Sequence, residues 1–257
     1  MYNPRHKLWA LLPPYQYEVF AMTIIDDQLV LVGGEDIHSK KKTNVLGVWD
    51  EKLCYWTHPF PPMLTACCSP SVVTYQNKWL IVAGGYGDGG DLLIVEIMNI
   101  SNHHWYSAPP LPIPASKMSA TIIDNTMVVL GGASGNFFFK KVFKVNVDEL
   151  ISQAIAQQTT MNKKSPAVPV QTPWQKLPDT PLTQSAAVTF NGALLAVGGQ
   201  GGTAIHLYHP AGSRSWVKSG DLPTERVQSA CTVLPSGEVL IVGGANSEEL
   251  LEILTIL

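Results

Sequence analysis

Any chemistry in this chain would have to come from its 4 cysteines, its 7 histidines or a convergence of charge. Cys54, Cys67, Cys68 and Cys231 lack both metal-ligand and disulfide-framework spacing. The neighbours Cys67 and Cys68 would bridge poorly to each other. Reduced thiols and a cytoplasmic location are therefore expected. The closest histidines are His103 with His104 and His206 with His209, and neither pair has a third ligand in register. Neither a metal nor any other cofactor is expected. No Gly-x-Ser-x-Gly, phosphate-binding loop or His-Glu-x-x-His occurs in the sequence.

Charge is no more informative. The only run, Lys40-Lys41-Lys42, reads as a solvated loop. A net charge of −3 argues against nucleic acid as the main partner. No apolar segment reaches the length of a membrane span, so no membrane partner is expected. Leu8 to Leu12 is too short for a signal peptide core and runs into Pro13-Pro14. The terminal Thr255-Ile256-Leu257 has the form of a PDZ ligand but falls at the end of an expected strand.

The elements are far more regular. An apolar run ending in two glycines occurs five times, at Gly33-Gly34, Gly84-Gly85, Gly131-Gly132, Gly198-Gly199 and Gly243-Gly244. The second glycines are 51, 47, 67 and 45 residues apart. Such a run reads as a strand buried on both faces. The glycines would let another backbone approach closely. A period near fifty suits one propeller blade.

Each repeat reads as four strands. The first is rich in small residues: Ala21–Ile25, Ser71–Tyr75, Ser119–Ile123, Ser185–Thr189 and Ser229–Val233. Turn formers such as Asp26-Asp27 and Asn191-Gly192 lead into the glycine strand. A third strand follows, for example Leu92–Ile97 or Ala204–Tyr208. The fourth carries Trp56, Trp105, Trp174 or Trp216 and is closed by prolines, as an outer strand tolerates.

A glycine pair followed by an aromatic and then tryptophan, as at Trp49 and Trp56, resembles the kelch repeat. The resemblance covers nearly the whole chain and implies an all-β fold, a kelch-type β-propeller with four-stranded blades. Residues 1–257 are expected to form a single such domain. The third repeat departs from the pattern through an insertion at 148–173. Asp148 is the candidate cap of a helix Glu149–Gln158, and the polar stretch after it should be mobile and hang off the blade. The fifth repeat lacks a tryptophan strand, while an orphan one, Trp9 before Pro13-Pro14, opens the chain. The expectation is five blades, the ring closed by residues 5–11, which removes exposed edges. The alternative is a fragment of a six-bladed propeller.

What the resemblance implies for function is a non-catalytic module, monomeric, that binds a protein or peptide through the loops of one propeller face. The candidate residues on that face are Glu35, Asp36, Tyr86, Asp88, Lys117, Gln200, Glu225 and Arg226. Arg226 stands where kelch adaptors often place a substrate-reading arginine, although Glu18, Ser116 and Leu182 occupy what read as its counterparts. Two other readings stay open. One is an enzyme using the axial pocket on a sugar-like substrate; the other is a piece of a larger adaptor or receptor.

Overall fold

Both glycines of every pair take positive φ, between 60° and 120°. At three of the five pairs the chain that crosses over them leaves no room for a side chain. A Cβ on Gly33, Gly84 or Gly198 would lie 2.4, 2.3 or 2.5 Å from the carbonyl oxygen of Cys67, Ala115 or Arg226. Each of those residues lies in the linker leading to the next blade. The second glycine of the pair then donates its N–H to the same carbonyl: Gly34 to Cys67 at 2.8 Å, Gly85 to Ala115 at 2.9 Å, Gly199 to Arg226 at 2.8 Å. At these three pairs the double glycine is thus a socket for the linker.

These contacts come from a computed structural model. It describes residues 2–3, 8–162, 172–200, 202–210, 212, 214–244 and 251–254. The first sheet holds Ala21–Ile25, Gln28–Val32, Leu46–Asp50 and Tyr55–Thr57. The second holds Ser71–Tyr75, Trp79–Ala83, Val95–Asn99 and His104–Ser107. Ser116–Ile123, Thr126–Ser134, Val142–Asn146 and Gln175–Leu177 form the third, with Phe137–Phe138 paired to its glycine strand. The fourth comprises Ala186–Phe190, Ala193–Val197, Ala204–Tyr208 and Val217–Asp221. A fifth has three described strands, Ala230–Val233, Val239–Val242 and Leu251–Leu254. All pairings are antiparallel, and the innermost strands touch in order from the first sheet to the fifth. This is a β-propeller.

The seams between blades are its core. Ile25, Val30, Val32 and Val48 of the first blade pack on Leu80, Val82, Met98 and Trp105 of the second. The opposite side of the second blade, with Trp79, Ile81 and Ile97, packs on Met127, Val129 and Val145 of the third. The two remaining seams, third to fourth and fourth to fifth, are built the same way. The small inner residues have a further use, because hydroxyls there tie neighbouring blades together. Thr23 pairs with Thr74 at 3.1 Å and Thr121 with Thr189 at 2.9 Å. Ser71 and Ser119 donate to the carbonyls of Met118 and Ser185.

The tryptophans close the blades at their outer ends. The indole N–H of Trp56, Trp105, Trp174 and Trp216 donates to the carbonyl of Pro13, Pro61, Pro109 and Pro178 respectively, at 3.0 to 3.3 Å. Each acceptor belongs to the junction that precedes the blade. Pro13 therefore stands in the register of the repeat, as its place after Trp9 suggested.

Two expectations change. Leu8–Trp9 pairs with Tyr2–Asn3 as a hairpin, and the fifth sheet ends at Leu251–Leu254. The described pairing therefore does not join the orphan strand to the fifth sheet. The helix runs Val147–Asn162, and its cap is Asn146, whose side chain accepts the N–H of Glu149 at 3.0 Å. Asp148 accepts the hydroxyl of Tyr75 instead. Leu150, Ile151 and Ala154 join Trp174 in the core between the second and third blades, so the helix is docked there rather than hanging free. The polar stretch after it lies outside the described residues.

Candidate functional site

The linkers that cross the glycine sockets emerge at one end of the propeller axis. There a single residue of each linker takes positive φ: Val19, Ser69, Lys117, Gln184 and Gln228. Backbone bonds link these residues: Ser69 N–H to Val19 O at 2.7 Å, Lys117 to Ser69 at 3.0 Å, Gln228 to Gln184 at 3.1 Å. The result is a collar of shared positive φ carrying four side-chain types. A valine held at a φ of 56° is a β-branched residue in the left-handed region, which only a framework fixed on both sides would impose.

Around the collar stand the loops that follow each glycine strand. Tyr17–Glu18 pairs with Glu35–Asp36. Tyr86 exchanges backbone hydrogen bonds with Cys68. Glu35 forms an ion pair with Lys42, and Glu18 forms one with Lys40. Both lysines are held above their usual range by these hydrogen-bonded carboxylates. The Lys42 ammonium also lies 5.6 Å from the centre of the Tyr86 ring. Tyr86 stays 42% exposed. Asp36 is spent locally: the Ser39 backbone, the Ser39 hydroxyl and the His38 backbone donate to it, which holds its carboxyl low. Lys117 is exposed, and Gln200 accepts from the Gln184 side chain at 3.4 Å. Asp88 is exposed and Glu225 half-buried.

Arg226 is a correction. It is 0% exposed and donates to the carbonyl of Gly243 at 2.9 Å, so its side chain is enclosed between the fourth and fifth blades. Its counterparts, each with its Cβ against the second glycine of the blade it leads into, are Cys67, Ala115 and Leu182, each buried. One residue separates this position from the collar, which makes it a packing site in those blades. Residue type alone marks an arginine as surface, and no sequence signal separates this one from the exposed kind.

Two features escaped the sequence reading. Phe137 is 76% and Phe138 is 40% exposed on a short hairpin beside the loop Ala133 to Asn136. The second feature is a groove of about 1150 Å3 between the first blade and Thr232 of the fifth. Tyr15 crosses its wall over Gly47, whose missing side chain leaves the ring its space. Burial first, and then Tyr17, push the Tyr15 hydroxyl up to about 12.

At the first seam Glu96 is 2% exposed and accepts the N–H of Leu64 at 2.9 Å. Burial pushes its carboxyl up. Burial and then Glu96 raise the neighbouring Cys67 thiol to about 12, so it is no nucleophile. Among the described residues no three His, Cys, Asp or Glu side chains gather as metal ligands would.

No family profile matches the chain. Among curated proteins it is 22% identical over 148 residues to the Kelch repeat and BTB domain-containing protein 2 of cowpox virus strain GRI-90, covering 56% of this chain and 26% of that protein. A putative F-box/kelch-repeat protein of Arabidopsis thaliana is 25% identical over 75 residues, covering 29% of this chain and 20% of its own. The chain thus spans about a quarter of the length of the curated relatives it matches. Among solved structures, the one titled "Structure of YjhT" superposes with a TM-score of 0.72 at 15% identity, over 95% of this chain and 82% of that one. That likeness bears on the fold alone.

Proposed function

We propose that this chain, whose repeats are of the kelch kind, is a non-catalytic module that binds a protein or peptide through the collar face. One observation carries the reading: a collar of five residues that share a positive φ presents four different side-chain types, Val19, Ser69, Lys117 and the glutamines Gln184 and Gln228. Rigid strands bearing variable loops are how a scaffold presents a specific surface. The rim adds an exposed aromatic, Tyr86, beside both signs of charge. Such mixed chemistry fits a protein surface better than a small anion, which needs converging positive charge. Both curated relatives carry a BTB or F-box label beside the kelch one. That pairing is consistent with kelch repeats serving as the binding part of a larger protein.

The experiment is a comparative capture from cell extract with crosslinking and mass spectrometry. Tyr86→Ala combined with Lys117→Glu, both on exposed side chains, is expected to lose the captured partner at an unchanged melting temperature. Asp124→Ala with Asn191→Ala, in turns at the far end of the strands, is expected to keep it. Loss with the far-end pair and retention with the collar pair would overturn the reading.

A further inference from the structure

Among the described residues the first blade packs against a neighbouring blade on one side only. Met22 and Ile24 alternate with the buried Ile25 along its inner strand, yet they are 59% and 52% exposed. With Tyr15, Phe20, Leu29 and Trp56 they line the groove beside the fifth blade. Four acids at the turn end of the groove, Asp26, Asp27, Asp50 and Glu51, stand against one base, Lys52, which leaves a rim charge of 1 − 4 = −3. An apolar floor with an acidic rim suits an apolar knob flanked by lysines.

The same chain carries one. Phe137 and Phe138 project from the third blade, paired to Ser134 and Ala133. The hairpin is held in place by Gly135 N–H to Asp91 at 2.9 Å and Phe139 N–H to Gly132 O at 2.8 Å, so little order has to be imposed on binding. Lys140 and Lys141 follow Phe139, with Lys176 beside them, and against these three bases stand Asp179 and Asp91, a balance of 3 − 2 = +1. Knob and groove match in apolar character and are opposite in charge. The third blade is two seams from the first and two from the fifth, so a copy cannot fill its own groove.

We propose that this chain associates head to tail, the Phe137–Phe138 hairpin of one copy seated in the first-blade groove of the next. This replaces the monomer expected from sequence and is independent of the collar-face reading. The contact is heterologous: knob and groove are different surfaces, and each copy keeps one of each free for a further neighbour.

Sedimentation equilibrium of the whole chain tests it. The average mass is expected to rise with protein concentration above that of one chain. Phe137→Ser, which keeps the groove, and Met22→Glu, which keeps the knob, should each weaken association by more than about tenfold, since both sit at its apolar centre. Mixed in equal amounts, the two variants should form a dimer that grows no further, because only one productive contact remains. Lys140→Glu should weaken association and Asp27→Lys on the partner copy restore it, a readout independent of the apolar substitutions. Tyr86→Ala should change nothing. A single-chain mass at all concentrations, association indifferent to both variants, or failure of the mixed pair to dimerise would overturn the proposal. Indifference to both variants would mean a different contact joins the copies.

Discussion

The two sides of the first blade carry the same kind of sequence and meet different fates. On one side Ile25, Val30 and Val48 are at most 1% exposed against the second blade. On the other, Met22 and Ile24 of the same strand face an open groove. In a propeller every blade needs an apolar residue at nearly every strand position, because a neighbour is expected on both sides. An apolar pattern therefore records the demand for burial. Whether the demand is met depends on what lies alongside.

Adjacent isoleucines give the sharpest way to break this comparison. Ile25→Ala should cost about 2–5 kcal/mol in denaturant unfolding, whereas Ile24→Ala should cost less than about 1 kcal/mol, because only the first leaves a cavity. Equal losses would mean that the groove side is as sealed as the seam.

The glycine sockets extend the contrast from side chains to backbone. Gly84→Ala places a methyl 2.3 Å from a linker carbonyl at a φ of 65°, and a loss of about 3 kcal/mol or more is expected from displacement plus strain. Gly192→Ala has a similar φ of 72° but open space, so only the conformational cost of about 1 kcal/mol should appear. Thermal melts of the two variants separate crowding from conformation.

The smallest effect concerns the polar latch of the sealed seam. Glu96 has a folded pKa raised by burial, so the folded state binds its proton more tightly than the unfolded chain. Stability from this group is then highest at the ordinary carboxylate value and below, and it falls as pH rises through the raised value. Glu96→Gln can still accept the Leu64 N–H and has no charge to desolvate. The difference in melting temperature between wild type and variant should grow as pH rises through that window and stay constant outside it. A pH-independent difference would remove Glu96 as its source.

Much of this was legible in the chain itself. The inner strands Ala21–Ile25 and Ser71–Tyr75 fall where small residues before a glycine run put them, and the other three begin within three residues of expectation. The third and fourth strands follow the tryptophan spacing, since an indole that must reach a proline carbonyl fixes its distance from the junction. The helix was legible as a helix but not in its cap. Asn146 and Asp148 both suit that role, and the choice turned on Tyr75 taking Asp148 from another blade.

What the sequence determined by itself is the repeat: local periodicity, turn chemistry and glycine pairs set each blade, because those forces act over a few residues. Only the tertiary structure decided which side of a blade found a neighbour. It also decided that Arg226 is buried at the position that Cys67, Ala115 and Leu182 hold in other linkers, and that Phe137 and Phe138 are left outside. Those outcomes depend on contacts between blades tens of residues apart, and no single repeat encodes the position of the next.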